Sequence, residues 1–128
     1  AYAFGGVFSC EMYGSSEQRD QHDELYTEYV LRCRWGRTVD ATRPWLVGRR
    51  FSEFAALDAS LRGAYPSLTF PALPSSYVLF PLDPAVVEER EAGLGAYLGA
   101  LLRDLPELLK TRHVDEFLQV SARIREVH

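Results

Sequence analysis

The first part of the chain alternates apolar with polar residues, which is the pattern of a β-strand that buries one face. In the clearest stretch, Leu31 and Cys33 fall on one face while Arg32 and Arg34 fall on the other. Stretches of this kind occupy residues 7–13, 25–35 and 44–51. Because polar, turn-forming segments join them, they predict three consecutive antiparallel strands. The first connection, 14–24, is polar and acidic, and it predicts a long hairpin loop.

Helical spacing of apolar residues follows the third strand. It predicts helices over residues 53–63, from 84 to about 102, and over 113–127, with a short turn at 105–109. Asp83-Pro84 suits the N-cap and first position of the second helix, and Ser52 suits the N-cap of the first. The second helix contains Gly93, Gly95 and Gly99. Each costs about 1 kcal/mol relative to alanine, which predicts that something packs closely against this helix.

A proline-rich segment separates the first two helices. It contains Pro66, Pro71, Pro74 and Pro81, and its PxxP run predicts an extended, polyproline II-like loop. The expected fold class is α+β: a three-stranded antiparallel meander packed against a helical subdomain, with the PxxP loop between the first and second main helices. Because we find no repeat and no linker, we expect a single domain, with its core at about 7–120 of residues 1–128.

Composition narrows the class of protein. The chain has 128 residues, of which 47% are hydrophobic, and this is enough for one core. Its 14 basic and 18 acidic residues give a net charge of −4, which argues against nucleic-acid binding. The absence of a long apolar run argues against a transmembrane helix. The chain does not start with methionine, which indicates a piece of a longer protein.

Residue patterns that usually carry catalysis or metal binding are sparse. Cys10 and Cys33 fall in predicted strands without CxxC spacing or a histidine pair nearby. We therefore expect buried free thiols in a reducing compartment rather than a zinc site or a disulfide. The sequence has no GxSxG elbow, no phosphate-cradling glycine loop and no HExxH motif. Accordingly, we expect neither an enzyme nor a cofactor.

The clearest candidate site is the run Arg49-Arg50-Phe51-Ser52, where the third strand meets the first helix. An arginine fork matches phosphate oxygens two at a time. A helix N-terminus favours a bound anion through its unpaired N–H groups, and the aromatic ring adds a flat platform. The run therefore indicates a phosphate site, and the alternative is a basic pair on a solvated strand end.

Arg90 is the second candidate. It lies four residues before Leu94, on the inward stripe of the second helix. An unpaired buried guanidinium is very costly. Arg90 therefore either pairs with a carboxylate, such as Glu53 or Asp58, or converges with Arg50 on an anionic ligand.

The run Tyr77-Val78-Leu79-Phe80 follows the PxxP loop directly. Four apolar residues in a loop between serine and proline make a poor core segment. Either they fold back onto the domain, or they form a hydrophobic prong that enters a membrane or a partner. Tyr77 suits an interface, since tyrosine combines an apolar ring with a polar end.

In this order, the parts resemble the phox-homology (PX) domain. The resemblance rests on a meander ending in RRFSEF, a helix, a PxxP loop with an apolar tail, and a helix of the form R-x-x-x-L-x-x-Y-L. It covers about Val7 to Val120. It implies a lipid-binding module that recognises phosphoinositides, most often phosphatidylinositol 3-phosphate, and targets endosomal membranes in vesicle trafficking, as sorting nexins do.

The resemblance assigns roles to positions in this chain. Arg50 matches the arginine that holds the 3-phosphate, and Phe51 matches the aromatic residue on which the inositol ring packs. Ser52 matches a residue that also bonds the 3-phosphate. Arg90 matches the helix arginine that bonds the 4- and 5-hydroxyls. The run Tyr77–Phe80 matches the membrane-inserting loop.

One residue expected from the resemblance is missing. The family usually places a lysine shortly after the PxxP, where it meets the 1-phosphate, and here Ser75 and Ser76 stand in that place. Ser76 can donate one hydrogen bond but brings no charge. A lost charge contact is worth about 1.5–3 kcal/mol, so affinity falls roughly tenfold or more.

The expected partner is a phosphoinositide-containing membrane, with the protein cytoplasmic and peripheral on endosomal or other intracellular membranes. We expect Arg50 and Arg90 to share one groove, walled by Phe51 and the PxxP loop. One alternative is a PX fold with weak or no lipid affinity that acts as a protein–protein interaction module. Another is a PxxP ligand for a partner's proline-binding domain, which requires Pro71–Pro74 to be exposed.

Overall fold

The sheet has four antiparallel strands in the order β1-β2-β3-β4 in the computed structural model, which describes residues 2–127. The strands are β1 Tyr2–Ala3, β2 Gly6–Arg19, β3 Leu25–Gly36 and β4 Arg43–Arg50. Ala1 and His128, the two ends of the predicted domain, lie outside the described residues. The α+β class and the meander are confirmed, and the sheet carries a fourth strand that the sequence pattern did not predict.

That extra strand, β1, is only two residues long and pairs with the start of β2. The turn between them is Phe4-Gly5, whose φ angles of 56° and 75° are both positive. Positive φ angles at both turn residues are typical of a two-residue β-hairpin, because such a turn matches the twist of the strands that it joins. Nε1 of Trp35 donates a hydrogen bond to the carbonyl of Ala3 at 2.8 Å, which ties β1 to β3. Two residues are too few to show an alternation, so the pattern could not reveal this strand.

The hairpin of β2 and β3 is longer than the sequence predicted. β2 runs to Arg19, which pairs with Leu25, so the loop is confined to residues 20–24. The register shifts between Met12 and Gly14, which marks a β-bulge. The prediction of a long loop was wrong because the second half of β2 has polar residues on both faces. It therefore lacks the alternation of apolar and polar residues by which a strand is recognised.

Four α-helices and two short 3₁₀ turns complete the described part of the chain. They are the 3₁₀ turn Val39–Ala41, α1 Phe51–Ala64, α2 Pro84–Asp104, the 3₁₀ turn Pro106–Lys110, α3 Arg112–Leu118 and α4 Val120–Val127. The predicted Asp83 cap of α2 is confirmed, since its carboxylate accepts a hydrogen bond from Ala85 N at 2.8 Å. None of the helices in this part of the chain is long and apolar enough to cross a bilayer.

Two helix boundaries differ from the prediction. α1 begins at Phe51 with Arg50 as its N-cap, so Ser52 is not the cap. The Glu53 carboxylate accepts the backbone N–H of Arg50 at 2.8 Å, which holds this start two residues earlier than expected. The predicted last helix is divided at Gln119, whose φ of 61° is left-handed and ends α3.

The core lies between the inner face of the sheet and the helices. The largest fully buried side chains are Trp35, Tyr29, Tyr97, Phe8, Phe54 and several leucines. Close packing against α2 is confirmed at Gly93, where an added Cβ would lie 2.5 Å from Pro74, and at Gly95, where it would lie 3.1 Å from Met12. The prediction of close packing is wrong for Gly99, which has open space beside it.

The two cysteines are direct neighbours across β2 and β3. Both are free thiols with their sulfurs 3.5 Å apart, and Cys33 is buried while Cys10 is half-buried. The hydrogen bond with Cys33 and the burial of the site raise the pKa of the Cys10 thiol far above its ordinary value.

Candidate anion-binding site

A cavity of about 380 Å³ lies where the end of β4 and the start of α1 meet the start of β3, the second turn of α2 and the loop before α2. It is lined by six of the residues singled out from the sequence: Arg50, Phe51, Ser52, Ser76, Val78 and Arg90. Residues 40 positions apart in the chain thus share one groove, as expected for Arg50 and Arg90.

Strand pairing and helix packing explain this convergence. Arg50 is the last residue of β4 and pairs with Glu28, so the start of β3 lies beside it. Phe51 opens α1 directly after it. Arg90 comes from the second turn of α2, on the same inward stripe as the buried Leu94.

Arg90 is the buried cation of the site, with 8% of its surface exposed. Its guanidinium carbon lies 3.8 Å from the centre of the Phe51 ring, a cation–π contact. Its Nη2 reaches the carbonyls of Ser75 and Ser76 at 3.4 and 3.3 Å. Its Nε has no hydrogen-bond partner. Arg90 is therefore held by neutral groups only.

The alternative of a structural salt bridge to Arg90 is wrong for the described residues. The Glu53 carboxylate instead accepts the backbone N–H of Arg50 and lies 3.9 Å from Arg49. Asp58 pairs with Arg62 at 2.9 Å and accepts a hydrogen bond from a tyrosine of α2. Both carboxylates proposed as partners are thus engaged elsewhere.

Arg50 is the exposed cation of the site. Its guanidinium carbon lies 4.1 Å from the centre of the Tyr26 ring, and within residues 2–127 it makes no ion pair. The ring fixes the direction of the side chain without neutralising its charge. The charge of Arg50 therefore remains available to an anion that enters the cavity.

Arg49 does not belong to the site, although it neighbours Arg50 in the sequence. Successive side chains of a strand point to opposite faces. Arg49 accordingly turns to α3, where Nε and Nη2 donate to the carbonyl of Phe117 at 3.1 and 2.9 Å. Of the run Arg49-Arg50-Phe51-Ser52, therefore, only the last three residues line the cavity.

The electrostatics of the cavity favour an anion. Its lining holds two arginines and, among the described residues, no aspartate or glutamate. Burial raises the pKa of the Tyr29 hydroxyl above its ordinary value, and the charge of Arg90 beside it lowers it by less. The hydroxyl therefore stays protonated at neutral pH. The two guanidiniums, neither of them paired with a carboxylate, offer hydrogen-bond donors to charged oxygens.

The run Tyr77–Phe80 projects beside the mouth of the cavity. Tyr77, Leu79 and Phe80 are 81%, 75% and 70% exposed, whereas Val78 is half-buried and lines the cavity. The alternative that the run folds back into the core is wrong for the three exposed residues. They form an apolar tip next to a cationic pocket.

The PxxP run does not wall the groove. Pro74 packs against Gly93 of α2, and the carbonyl of Pro71 accepts a hydrogen bond from Arg62 at 2.9 Å. The wall is formed instead by the residues that follow, Ser76, Val78, Pro81 and Leu82. Because the PxxP run is packed on the domain, it is not displayed as a free ligand for a proline-binding partner.

The sequence pattern missed the contribution of β3. Leu25, Tyr26, Thr27 and Tyr29 line the cavity from this strand. The signal that could have found them is the predicted meander itself. Antiparallel pairing places the start of β3 beside the end of β4, where Arg50 lies.

Comparison with known proteins identifies the family. The family model described as PX domain matches residues 37–121. The chain belongs to the PX domain family. PX domains are phosphoinositide-binding modules, so the resemblance read from the motifs is confirmed.

Relatives and solved structures agree with this assignment. The serine/threonine-protein kinase Sgk3 of Rattus norvegicus is 29% identical over 109 residues, covering 84% of this chain and 21% of that protein. PX domain-containing protein EREL1 of Arabidopsis thaliana is 35% identical over 77 residues, covering 60% of this chain and 10% of that protein. The PX domain thus spans about a fifth or less of the length of these relatives, so the likeness concerns this segment alone.

Two solved structures share the fold. The X-ray structure of a designed CISK-PX domain superposes with a TM-score of 0.73 at 26% identity, covering 87% of this chain and 98% of that one. The mouse SNX19 PX domain, solved with a bound sulphate ion, gives a TM-score of 0.61 at 21% identity, covering 90% of this chain and 98% of that one. The second likeness concerns the fold alone.

Proposed function

We propose that this PX domain binds the headgroup of phosphatidylinositol 3-phosphate and docks peripherally on the cytoplasmic face of endosomal membranes. One observation carries the proposal: Arg50 and Arg90 line a single cavity, and neither is paired with a carboxylate within residues 2–127. Leaving a buried guanidinium such as that of Arg90 without an anion is costly. The role is binding rather than catalysis.

The roles within the headgroup site follow from position. Arg50, exposed at the strand end, takes the 3-phosphate with help from the Ser52 hydroxyl in the first turn of α1. The Phe51 ring supports the inositol ring. Arg90, deeper in the cavity, donates to the 4- and 5-hydroxyls, and Ser76 lies on the wall where the 1-phosphate leaves toward the lipid.

Selectivity follows from the small number of charges. A cavity with two arginines and no lysine offers few contacts beyond one phosphate and the ring hydroxyls. We therefore propose that a singly phosphorylated 3-phosphoinositide binds better than more highly phosphorylated lipids. Binding of the soluble, short-chain headgroup is weak for the same reason.

Membrane docking adds a second weak interaction. Tyr77, Leu79 and Phe80 lie beside the mouth of the cavity and expose more than two thirds of their surface to solvent. Inserting Leu and Phe into the bilayer contributes about 1.5–3 kcal/mol for each fully buried side chain. Because the net charge of −4 provides no long-range attraction to an anionic membrane, stable binding requires headgroup capture and insertion together.

A liposome panel tests the proposal. Vesicles with equal charge carry phosphatidylinositol 3-phosphate, 4-phosphate or 4,5-bisphosphate, and sedimentation measures the bound fraction. We expect a clear preference for the 3-phosphate and loss of vesicle binding in Arg50→Gln. Arg37→Gln, in the segment that joins β3 to β4, is the control and should bind like the wild type. A clear preference for the 4,5-bisphosphate would contradict the proposed ligand.

A protein-interaction role is the second candidate. The observation that favours it is Ser75-Ser76 at the place of the usual lysine, which leaves the headgroup site one charge short. On this reading the exposed tip of Tyr77, Leu79 and Phe80 contacts a protein rather than a bilayer. If the wild-type domain binds no phosphoinositide vesicle at any lipid content tested, this candidate replaces the first.

A further inference from the structure

Only two buried side-chain nitrogen or oxygen atoms within residues 2–127 lack a hydrogen-bond partner. They are the hydroxyl of Tyr29 and Nε of Arg90. Both residues line the same cavity, although one belongs to β3 and the other to α2. Buried polar groups in folded proteins are nearly always paired, so two unpaired groups at one place call for an explanation.

The two groups are chemically complementary. Nε of Arg90 can only donate, whereas a tyrosine hydroxyl can accept as well as donate. The two side chains line the same cavity and are close neighbours. Burial raises the pKa of the Tyr29 hydroxyl, while the charge of Arg90 and the approach of its side chain within hydrogen-bonding reach lower it by less. The hydroxyl oxygen stays protonated and still has lone pairs to offer.

Arg90 is loosely held in the empty cavity. Its Nη2 reaches the carbonyls of Ser75 and Ser76 at 3.4 and 3.3 Å, beyond the usual range for a strong charge-assisted bond. A ligand oxygen that accepts from the terminal nitrogens competes easily with such long bonds. A small reorientation of the guanidinium toward the ligand then leaves Nε free to pair with a different acceptor.

We infer that Tyr29 is a positioning residue of the headgroup site: when a headgroup is bound, its hydroxyl accepts a hydrogen bond from Nε of Arg90. This inference rests on the proposed function. The bond fixes the plane of the guanidinium, so that the terminal nitrogens face the ring hydroxyls. Tyr29 acts through Arg90 and does not itself touch the ligand.

Calorimetry and arginine NMR test this role together. The ligand is soluble inositol 1,3-bisphosphate, and the Nε–H resonance of Arg90 is assigned by its absence from Arg90→Lys. In the wild type we expect the ligand to protect this Nε–H from exchange. In Tyr29→Phe we expect the Kd to rise about tenfold or more, the effect of one charge-assisted hydrogen bond, and the protection to disappear.

Tyr97→Phe is the matched control. The Tyr97 hydroxyl is also in a buried residue of the core but donates to Asp58 at 2.8 Å, away from the cavity. Its removal breaks a satisfied bond, so we expect Tyr97→Phe to melt earlier and to bind the ligand normally. Tyr29→Phe removes an unpaired hydroxyl, so we expect it to melt no earlier than the wild type.

The outcomes separate this inference from the proposed function. Wild-type protein that binds no inositol phosphate overturns both. Wild-type protein that binds, with Tyr29→Phe unchanged in Kd or in Nε–H protection, overturns the positioning role alone, since the role requires both effects. If Tyr29→Phe does not fold, the wild type still decides: an Arg90 Nε–H that gains no protection on binding overturns the inference.

Discussion

The guanidinium carbon of Arg90 lies 3.8 Å from the centre of the Phe51 ring. One side chain comes from the second turn of α2 and the other from the first residue of α1. Their contact joins the cation proposed to meet the ring hydroxyls to the aromatic residue proposed to support the ring. The two sides of the proposed headgroup site are therefore built as one unit.

Replacing Arg90 tests that unit. We expect Arg90→Gln to lower affinity for inositol 1,3-bisphosphate roughly 10- to 100-fold, because it removes a charge-assisted contact. The fold should persist, since replacing a buried charge without an ionic partner by a neutral group carries little penalty. Isothermal titration measures the affinity. Arg103→Gln, on the exposed end of the same helix, is the control and should bind normally; equal binding by both variants would exclude Arg90 from the site.

Restoring the missing charge should strengthen binding. Ser76 lines the cavity at the place of the usual lysine, whereas Ser75 does not line it. We expect Ser76→Lys to raise affinity for phosphatidylinositol 3-phosphate vesicles about tenfold, and Ser75→Lys to raise it much less. Vesicle titration at two salt concentrations separates a specific contact from general attraction. Equal gains for the two variants would show that only net charge matters.

Two glycines of α2 provide a matched pair for stability. At Gly93 an added Cβ would lie 2.5 Å from Pro74, so Gly93→Ala must move α2 or the loop and should cost about 1–3 kcal/mol. Gly99 has open space beside it, so Gly99→Ala should stabilise the fold by up to about 1 kcal/mol. Urea unfolding of the two variants measures both effects. Gly93→Ala should also weaken headgroup binding, because Pro74 immediately precedes the carbonyls that hold Arg90.

The exposed tip separates insertion from headgroup capture. Phe80→Asp should reduce vesicle binding about tenfold or more, because it removes an apolar contact and adds a charge at the membrane. Binding of the soluble headgroup should barely change, since Phe80 does not line the cavity. Val39→Asp is the control: Val39 is equally exposed at 71%. It precedes β4, whose far end carries Arg50 and the cavity, so the two sites lie at opposite ends of this strand. Equal loss of vesicle binding in both variants would exclude a specific role for the tip.

The paired thiols predict a pH response. The pKa of Cys10 is raised in the folded protein, so its thiol stays protonated through the range in which an ordinary cysteine ionises, near pH 8.5. The unfolded chain loses this proton first, so the free energy of unfolding should decline as pH rises above about 8.5. Alkylation of the native protein by iodoacetamide should remain slow at pH 9. Cys33→Ser exchanges the thiol partner that raises this pKa for a hydroxyl and should accelerate alkylation of Cys10; equal rates in both proteins would contradict the assignment.

Local patterns were sufficient for the residues that lie on regular elements. The 3.6-residue period placed Arg90 on the inward stripe of α2, and the strand-end motif placed Arg50 at the junction with α1. Ser52 was misassigned as the helix cap because the Glu53 carboxylate fixes an earlier start through the N–H of Arg50. Capping of this kind depends on one side-chain rotamer, which a propensity rule does not resolve.

Long-range pairing explains the rest of what the sequence could not predict. Tyr26 and Tyr29 enter the site only because β3 and β4 pair in one particular register, with Glu28 opposite Arg50. The division of the last helix at Gln119 is equally non-obvious, since the apolar spacing continues across it. There the Asp115 carboxylate accepts hydrogen bonds from the backbone and hydroxyl of Ser121, at 2.8 and 2.6 Å, and stabilises the break.

Arg49 and Arg50 are adjacent, yet the guanidinium of Arg49 is bound to a backbone carbonyl whereas that of Arg50 is exposed to solvent. The guanidinium of Arg49 is held by the carbonyl of Phe117 in α3, and the backbone N–H of Arg50 is held by the Glu53 carboxylate. The backbone that carries the proposed phosphate ligand is therefore immobilised before any ligand arrives. At Arg50, binding therefore costs only side-chain rotational freedom, at most about 2 kcal/mol, and stacking on the Tyr26 ring already limits that freedom. A headgroup site that lacks one positive charge can thus recover part of the lost affinity, because little conformational entropy is lost when the ligand binds.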